Sequence, residues 1–321
     1  MLAVLRERNF ALLWSGSLVS MLGDWVLIGA LPFFVYQQTG STLATGTVFM
    51  AEILPMLLLG SVAGVFVDRW NRRRTMIVAD LLRGALLLLL LTVRSVEWLW
   101  VVYVVAFASS CVSQFAGPAS SALVPRLVGE GQLVPANSSF SVANNLARLI
   151  GPSVGGLLMA LVGLPAVALV DSASFFVSAL LISLIRLRPT AEAPPGEASA
   201  PVEASAAVSR AWQDWRGGLR LIAGERWISV VFVVMAVCLL GDAMLTVLVA
   251  PFVSEVLRGD SVTFGLVLTA RGLGGLIGGL VIGQVGKLLP TTRLIGLSAV
   301  AIGVSLIVLV GISWLPPALA Y

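Results

Sequence analysis

The 321-residue chain has no histidine, two cysteines and only 11% charged residues. Histidine is the commonest metal ligand and the usual general base, so its absence excludes a metal-dependent enzyme and a Ser-His-Asp hydrolase. Cys111 and Cys238 each lie inside an apolar run, where a thiol acts as a small hydrophobe, and no disulfide is expected. A G-x-x-x-x-G-K-S/T phosphate loop is missing, so nothing points to a nucleotide site. Leu22-Gly23-Asp24 and Leu240-Gly241-Asp242 lack the Gly-x-Gly-Asp pattern of an intramembrane protease. The charged fraction falls well below the roughly 25% of a soluble domain.

Apolar residues fill the place of charge: 58% of the chain is hydrophobic, with mean hydropathy +1.00. Apolar runs near the length of one helical crossing, about 20 residues, recur along the chain, and nothing shows the short alternating segments of a membrane barrel. This predicts an all-α polytopic membrane protein. Spans are expected near 10–36, 45–67, 75–93, 98–124, 137–162, 165–185, 227–253, 264–285 and 294–314. The first run is too long for the apolar region of a secretory signal, about 7 to 15 residues, and is expected to be a retained span.

The formal charge is +4. Placing the N-terminus in the cytoplasm puts every basic residue outside the spans on that side except Arg94 and Arg258, as the retention of positive loops requires. The basic excess is therefore topological, and no nucleic-acid partner is expected. Residues 189–209 are rich in Ala, Pro, Glu and Ser, the composition of a flexible linker. In 210–226, Trp212, Trp215, Leu219 and Ile222 recur at helical spacing among arginines. That spacing fits an interfacial amphipathic helix or an ordinary lead-in to the next span. The expected organisation is thus a six-helix bundle over 1–188, the linker, the amphipathic segment and a partial bundle over 227–321.

A shift of 219 residues superposes Pro32 on Pro251, Gly40 on Gly259, Gly46 on Gly265, Gly60 on Gly279 and Arg74 on Arg293. Spans seven to nine therefore repeat spans one to three. Two six-span halves with a substrate site between them is a standard transporter plan; here the second half is expected to lack its last three spans.

Two stretches carry a specific resemblance. Gly64-Val65-Phe66-Val67-Asp68-Arg69-Trp70-Asn71-Arg72-Arg73-Arg74 resembles the G-x-x-x-D-R-x-G-R-R/K loop of the major facilitator superfamily, with Asn71 in place of the usual Gly. Gly151-Pro152-Ser153-Val154-Gly155-Gly156 resembles the antiporter motif of drug exporters in that superfamily, with Ala147 in place of a further Gly. Gly23-Asp24-Trp25, 115–128 and 171–176 are similar to its macrolide-efflux and enterobactin-exporter branch. The resemblance covers essentially the whole chain. It implies a major facilitator fold with a complete six-helix N-terminal half and an incomplete three-helix C-terminal half. It also implies that Gly64, Asp68, Arg69, Arg72 and Arg73 act at a cytoplasmic gate, and that Gly151, Pro152, Gly155 and Gly156 serve close helix packing.

Charges inside spans are costly, roughly 2.5 to 3.5 kcal/mol at the bilayer centre, and mark candidate sites. Asp24 is the first, either a proton-coupling or substrate-binding acid or a structural one. Glu52 is a second acid, which the repeat sets in register with Arg271 as a possible gate contact. Arg148 needs an anion or carbonyls, with Asp24 and Asp171 as candidate partners; Asp80 and Arg83, three apart, suggest a local pair; Asp242 lies near the position that corresponds to Asp24 in the repeat. The expected function is outward transport of a hydrophobic or amphipathic small molecule across a bacterial inner membrane, in exchange for protons. No cofactor or metal is expected. The competing expectation is a truncated, non-transporting membrane protein acting as a scaffold, or one part of a split transporter completed by separate C-terminal helices.

Overall fold

The computed structural model describes residues 4–186, 224, 226–285, 296–298, 300, 301, 303 and 304. The linker, nearly all of the amphipathic segment and most of the ninth expected span lie outside the described residues.

The described chain is helical throughout. The helices are α1 (Arg8–Ile28), α2 (Leu31–Thr39), α3 (Thr42–Arg69), α4 (Arg72–Leu88), α5 (Leu99–Leu127), α6 (Leu133–Leu161), α7 (Leu164–Ser183), α8 (Arg226–Pro251) and α9 (Ser261–Val285). Seven stretches are long and apolar enough to cross a membrane, α1 and α2 counting as one. The break between those two has a local cause: Pro32 has no N–H to give the turn before it, and its ring crowds the preceding carbonyls. Helix α6 is 29 residues long but falls outside the seven. As far as its midpoint it carries Asn137, Ser138, Ser139, Asn144 and Asn145, with Arg148 just beyond, polar groups that it turns in part toward α1 and α9.

Helix α1 packs against α6 and α7, α4 against α5 and α7, α3 against α5, and α9 against α6. Their buried side chains form two separate apolar ends. At the α2 end, Leu31, Val35, Val48, Leu87, Leu90, Val105 and Phe175 pack together. At the end carrying the Arg72–Arg74 turn, Phe10, Leu13, Val67, Met76, Leu123 and Ile182 do so. The polar side chains lie between the two clusters. Leu57, Leu82, Leu89, Val104 and Leu180 point outward and are exposed, as a bundle solvated by lipid tails allows.

Local structure repeats at the 219-residue offset. Ser41 caps α3 by accepting the Ala44 N–H, and Asp260 caps α9 by accepting the Thr263 N–H. Both turns use a left-handed residue, Gly40 (φ 62°) in the first and Arg258 (φ 49°) in the second. A π-turn over Phe252–Val256 moves that residue one position forward in the second copy.

Candidate functional site

A cavity of about 310 Å³ lies between the two apolar ends, lined by Asp24, Trp25, Glu52, Arg83, Ser109, Asn144 and Asp171 among others. Arg83 organises it. The guanidinium donates to Asp24 Oδ1 at 2.7 Å and to Ser109 Oγ at 3.0 Å, and lies 4.2 Å over the ring of Phe175. One side chain of α4 thereby ties α1, α5 and α7. Asp171 is fully buried; its Oδ1 accepts from Ser174 Oγ at 3.4 Å, and its Oδ2 has no hydrogen-bond partner among the described residues. Gly23 permits this approach of α7, because a Cβ there would collide with the Asp171 and Ser174 side chains. Three carboxyl groups and one guanidinium thus share one cavity.

A second cavity, about 230 Å³, lies between this bundle and helices α8 and α9, lined by Trp25, Phe49, Glu52, Arg148, Asp242, Thr246 and Arg271 among others. Trp25 and Glu52 line both. Arg271 pairs with Asp242 and donates to Thr246 Oγ1 at 2.9 Å. At the α2 end the two sides meet: Tyr36 hydrogen-bonds Glu255, its repeat equivalent, and Phe33 stacks on Phe264 with ring centroids 5.3 Å apart.

Three expected pairings differ from these. Arg83 bonds Asp24 rather than Asp80, whose buried carboxyl turns to Ser178 of α7. Arg271 takes Asp242 from the adjacent helix rather than Glu52, although both line the second cavity. Arg148 pairs with neither Asp24 nor Asp171; its guanidinium lies 5.7 Å from the Trp25 ring, a cation–π contact, because Arg83 already occupies Asp24. The sequence reading names Arg83 only as a local partner of Asp80 and does not single out Ser109 or Asn144, all of which line the cavity. Arg83, Leu87 and Leu90 line the cavity at helical spacing, as do Ser109 and Ser113, and that periodicity was the available signal.

The glycines of α6 sit in two interfaces. A Cβ on Gly151 or Gly155 would strike Trp25 or the Val26 carbonyl of α1, and one on Gly156 the Ser261 carbonyl of α9. Pro152 abuts Gly29 on one side and Gly265 on the other. In the arginine-rich turn, Arg73 donates to the carbonyls of Ile182 (3.1 Å) and Ser183, closing the last turn of α7. Among the described residues, nothing lies within 4 Å of a notional Cβ on Gly64. The side chains of Asp68 and Arg69 lie outside the description.

The sequence profile of the transmembrane secretion effector family matches residues 1–317. The chain is 26% identical to an uncharacterized MFS-type transporter, YfiS, of Bacillus subtilis over 77% of its own length and 58% of the relative's. It is 28% identical to macrolide efflux protein A of Streptococcus pyogenes over 56% of its length and 45% of the relative's. It is 28% identical to the multidrug efflux pump Tap of Mycolicibacterium fortuitum over 96% of its length and 73% of the relative's. The matched region thus spans about half of the first two relatives. With a membrane-spanning helical bundle, a polar cavity at its centre and a profile match over nearly its whole length, the chain belongs to the transmembrane secretion effector family of the major facilitator superfamily.

Proposed function

We propose that this protein is a secondary active exporter of a hydrophobic or amphipathic small molecule, of the drug or macrolide class, working by proton antiport and alternating access. One observation carries the reading: Asp24, Glu52 and Asp171 line a single cavity in which Arg83 is the one cation among the described lining residues. Three carboxylates against one guanidinium leave negative charge that a proton or a cationic group must offset in a dry interior. Protonating Asp24 would weaken its pair with Arg83, the tie between α1 and α4, and leave Arg83 held by Ser109 of α5 and Phe175 of α7, so one proton alters how α1 is held against the other three helices. A change of that kind biases a two-state equilibrium only if the states bind the proton differently. Glu52, shared by both cavities, links the acid cluster to the gap between the halves, where Arg148, Asp242 and Arg271 line the path.

The contacts between the two sides favour alternation. They close at the α2 end through Tyr36, Glu255, Phe33 and Phe264. Helices α6 and α9 pack at Gly265 and Gly272, whereas a Cβ on Gly274 or Gly275 would meet nothing within 4 Å among the described residues. In the proposed orientation the N-terminus is cytoplasmic, the α2 end faces outward across the inner membrane, and the turn with Asp68, Arg69, Arg72 and Arg73 lies at the inner gate. Residues 1–188 and 227–321 belong to the two halves, joined through 189–226.

The test is efflux of a macrolide and of a lipophilic dye from cells expressing the protein, with and without a protonophore. Wild-type protein lowers accumulation, the protonophore abolishes the effect, and Asp24→Asn removes efflux while membrane levels are retained. Unchanged efflux and unchanged pH dependence in Asp24→Asn would overturn the coupling role; no efflux by wild type would overturn the exporter.

A further inference from the structure

Outside both cavities, a groove of about 690 Å³ runs between α4 and α5 at the arginine-rich end and shares no lining residue with either. Its α4 wall is a helical stripe of Asn71, Arg74, Thr75, Val78 and Leu82; its α5 wall is Cys111, Val112 and Phe115. The groove is polar at one end and apolar along the rest. Val78 and Leu82 are 54% and 50% exposed, so this wall faces out of the bundle, toward lipid.

Arg74 sets the polar end apart. Its neighbour Arg73 is spent on the α7 carbonyls, but the Arg74 guanidinium is exposed and, among the described residues, makes no hydrogen bond or ion pair. Trp70 stacks on Phe115 at 5.7 Å beside it, an amphipathic ring of the kind that settles at the headgroup level. The Arg74 guanidinium and the Asn71 amide N–H at the interface, continuous with an apolar channel into the bilayer, match one chemistry; the Thr75 hydroxyl already donates to the Asn71 carbonyl. Basic pockets between transmembrane helices hold anionic headgroups while the chains stay in hydrocarbon.

We propose that this groove is a binding site for an anionic phospholipid, with its phosphate on Arg74 beside Asn71 and Thr75, and an acyl chain along Val78, Leu82, Val112 and Cys111. The contact is charge-assisted at the head and apolar along the tail. It selects headgroup charge, and it braces α4, the helix that carries Arg83.

Native mass spectrometry of the purified protein with equimolar phosphatidylglycerol and phosphatidylcholine of matched chains tests the site. Wild type retains phosphatidylglycerol several-fold over phosphatidylcholine, Arg74→Lys keeps the preference, and Arg74→Ala, an exposed change that leaves the fold intact, removes it. Alkylation of Cys111 in a Cys238→Ser background localises the lipid: the reaction is slower in phosphatidylglycerol vesicles than in phosphatidylcholine vesicles, and Arg74→Ala erases the difference. A preference that survives Arg74→Ala, or none in wild type, overturns the proposal. Equal blocking of Cys111 in both lipids would assign the groove to protein, and protection by an added macrolide in either lipid would assign it to the transported compound. Each of those results also overturns the lipid site.

Discussion

Substituting alanine for Gly155 tests the α1–α6 contact on which the cavity depends. The added methyl would overlap the Val26 carbonyl oxygen, a backbone atom that cannot turn aside as a side chain can, so α1 and α6 must separate. Overpacking of a close interface costs about 1 to 3 kcal/mol. Alanine recovers up to about 1 kcal/mol of helix propensity over glycine. The net expectation is destabilisation of up to about 2 kcal/mol. Gly64→Ala is the matched control, because nothing lies within 4 Å of its notional Cβ; only the propensity gain applies, and its sign is opposite. At about 2 to 4 °C per kcal/mol for a bundle near 200 residues, the two variants should melt several degrees apart in a fluorescence-detected thermal assay. The α1 shift also stretches the Trp25 to Asn144 hydrogen bond, 3.2 Å in the native packing, so efflux should fall in Gly155→Ala. Equal melting points for the two variants, or a more stable Gly155→Ala, would refute the assigned contact.

Three further outcomes are expected. Arg83→Ala should cost about 1.5 to 3 kcal/mol, the range for hydrogen bonds to charged groups, and the Arg83→Ala, Asp24→Asn double variant should cost less than the sum of the singles in thermal unfolding; strict additivity would deny the pair. Tyr36→Phe removes one bond between the two sides, and a loss of about 1 kcal/mol shifts an open-to-closed ratio roughly fivefold; spin labels across the α2 end should report longer distances, and unchanged distances would remove Tyr36 from the gate. The Thr263 N–H holds the Asp260 carboxyl below its ordinary value of 3.8, so the stabilisation is full above that value and is lost as pH falls through the lowered one. Asp260→Ala should therefore cost about 1 kcal/mol at neutral pH, with Asp260→Asn nearly silent, and the penalty should shrink in strong acid, where only the neutral carboxyl is left to accept the bond; a penalty independent of pH would deny the charged cap.

Some of this was legible in the residues. Apolar runs report crossings because an unpaired backbone group cannot be left in hydrocarbon, and helix is the local answer; the runs at 45–67 and 264–285 became α3 and α9 with small boundary shifts. The crowding of Gly151, Gly155 and Gly156 was readable for a similar reason, since residues without side chains in a long helix mark where backbones approach. The rarity of Asp24, Glu52 and Asp171 in apolar surroundings marked them as candidates, and the fold gathers them on one cavity.

Partners were another matter. Sequence spacing offered Asp80 to Arg83 and register offered Glu52 to Arg271, because a linear reading counts neighbours on one helix or one repeat. In the fold, α1 brings Asp24 to Arg83 and α8 brings Asp242 to Arg271. The sequence by itself determined that the chain is helical, membrane-spanning, internally repeated and charged at a few buried points, since burial cost and helical period act residue by residue. Only the tertiary structure decided which charge meets which, because a guanidinium reaches across the gap that helix packing leaves, and that gap is set by glycines and prolines on other helices.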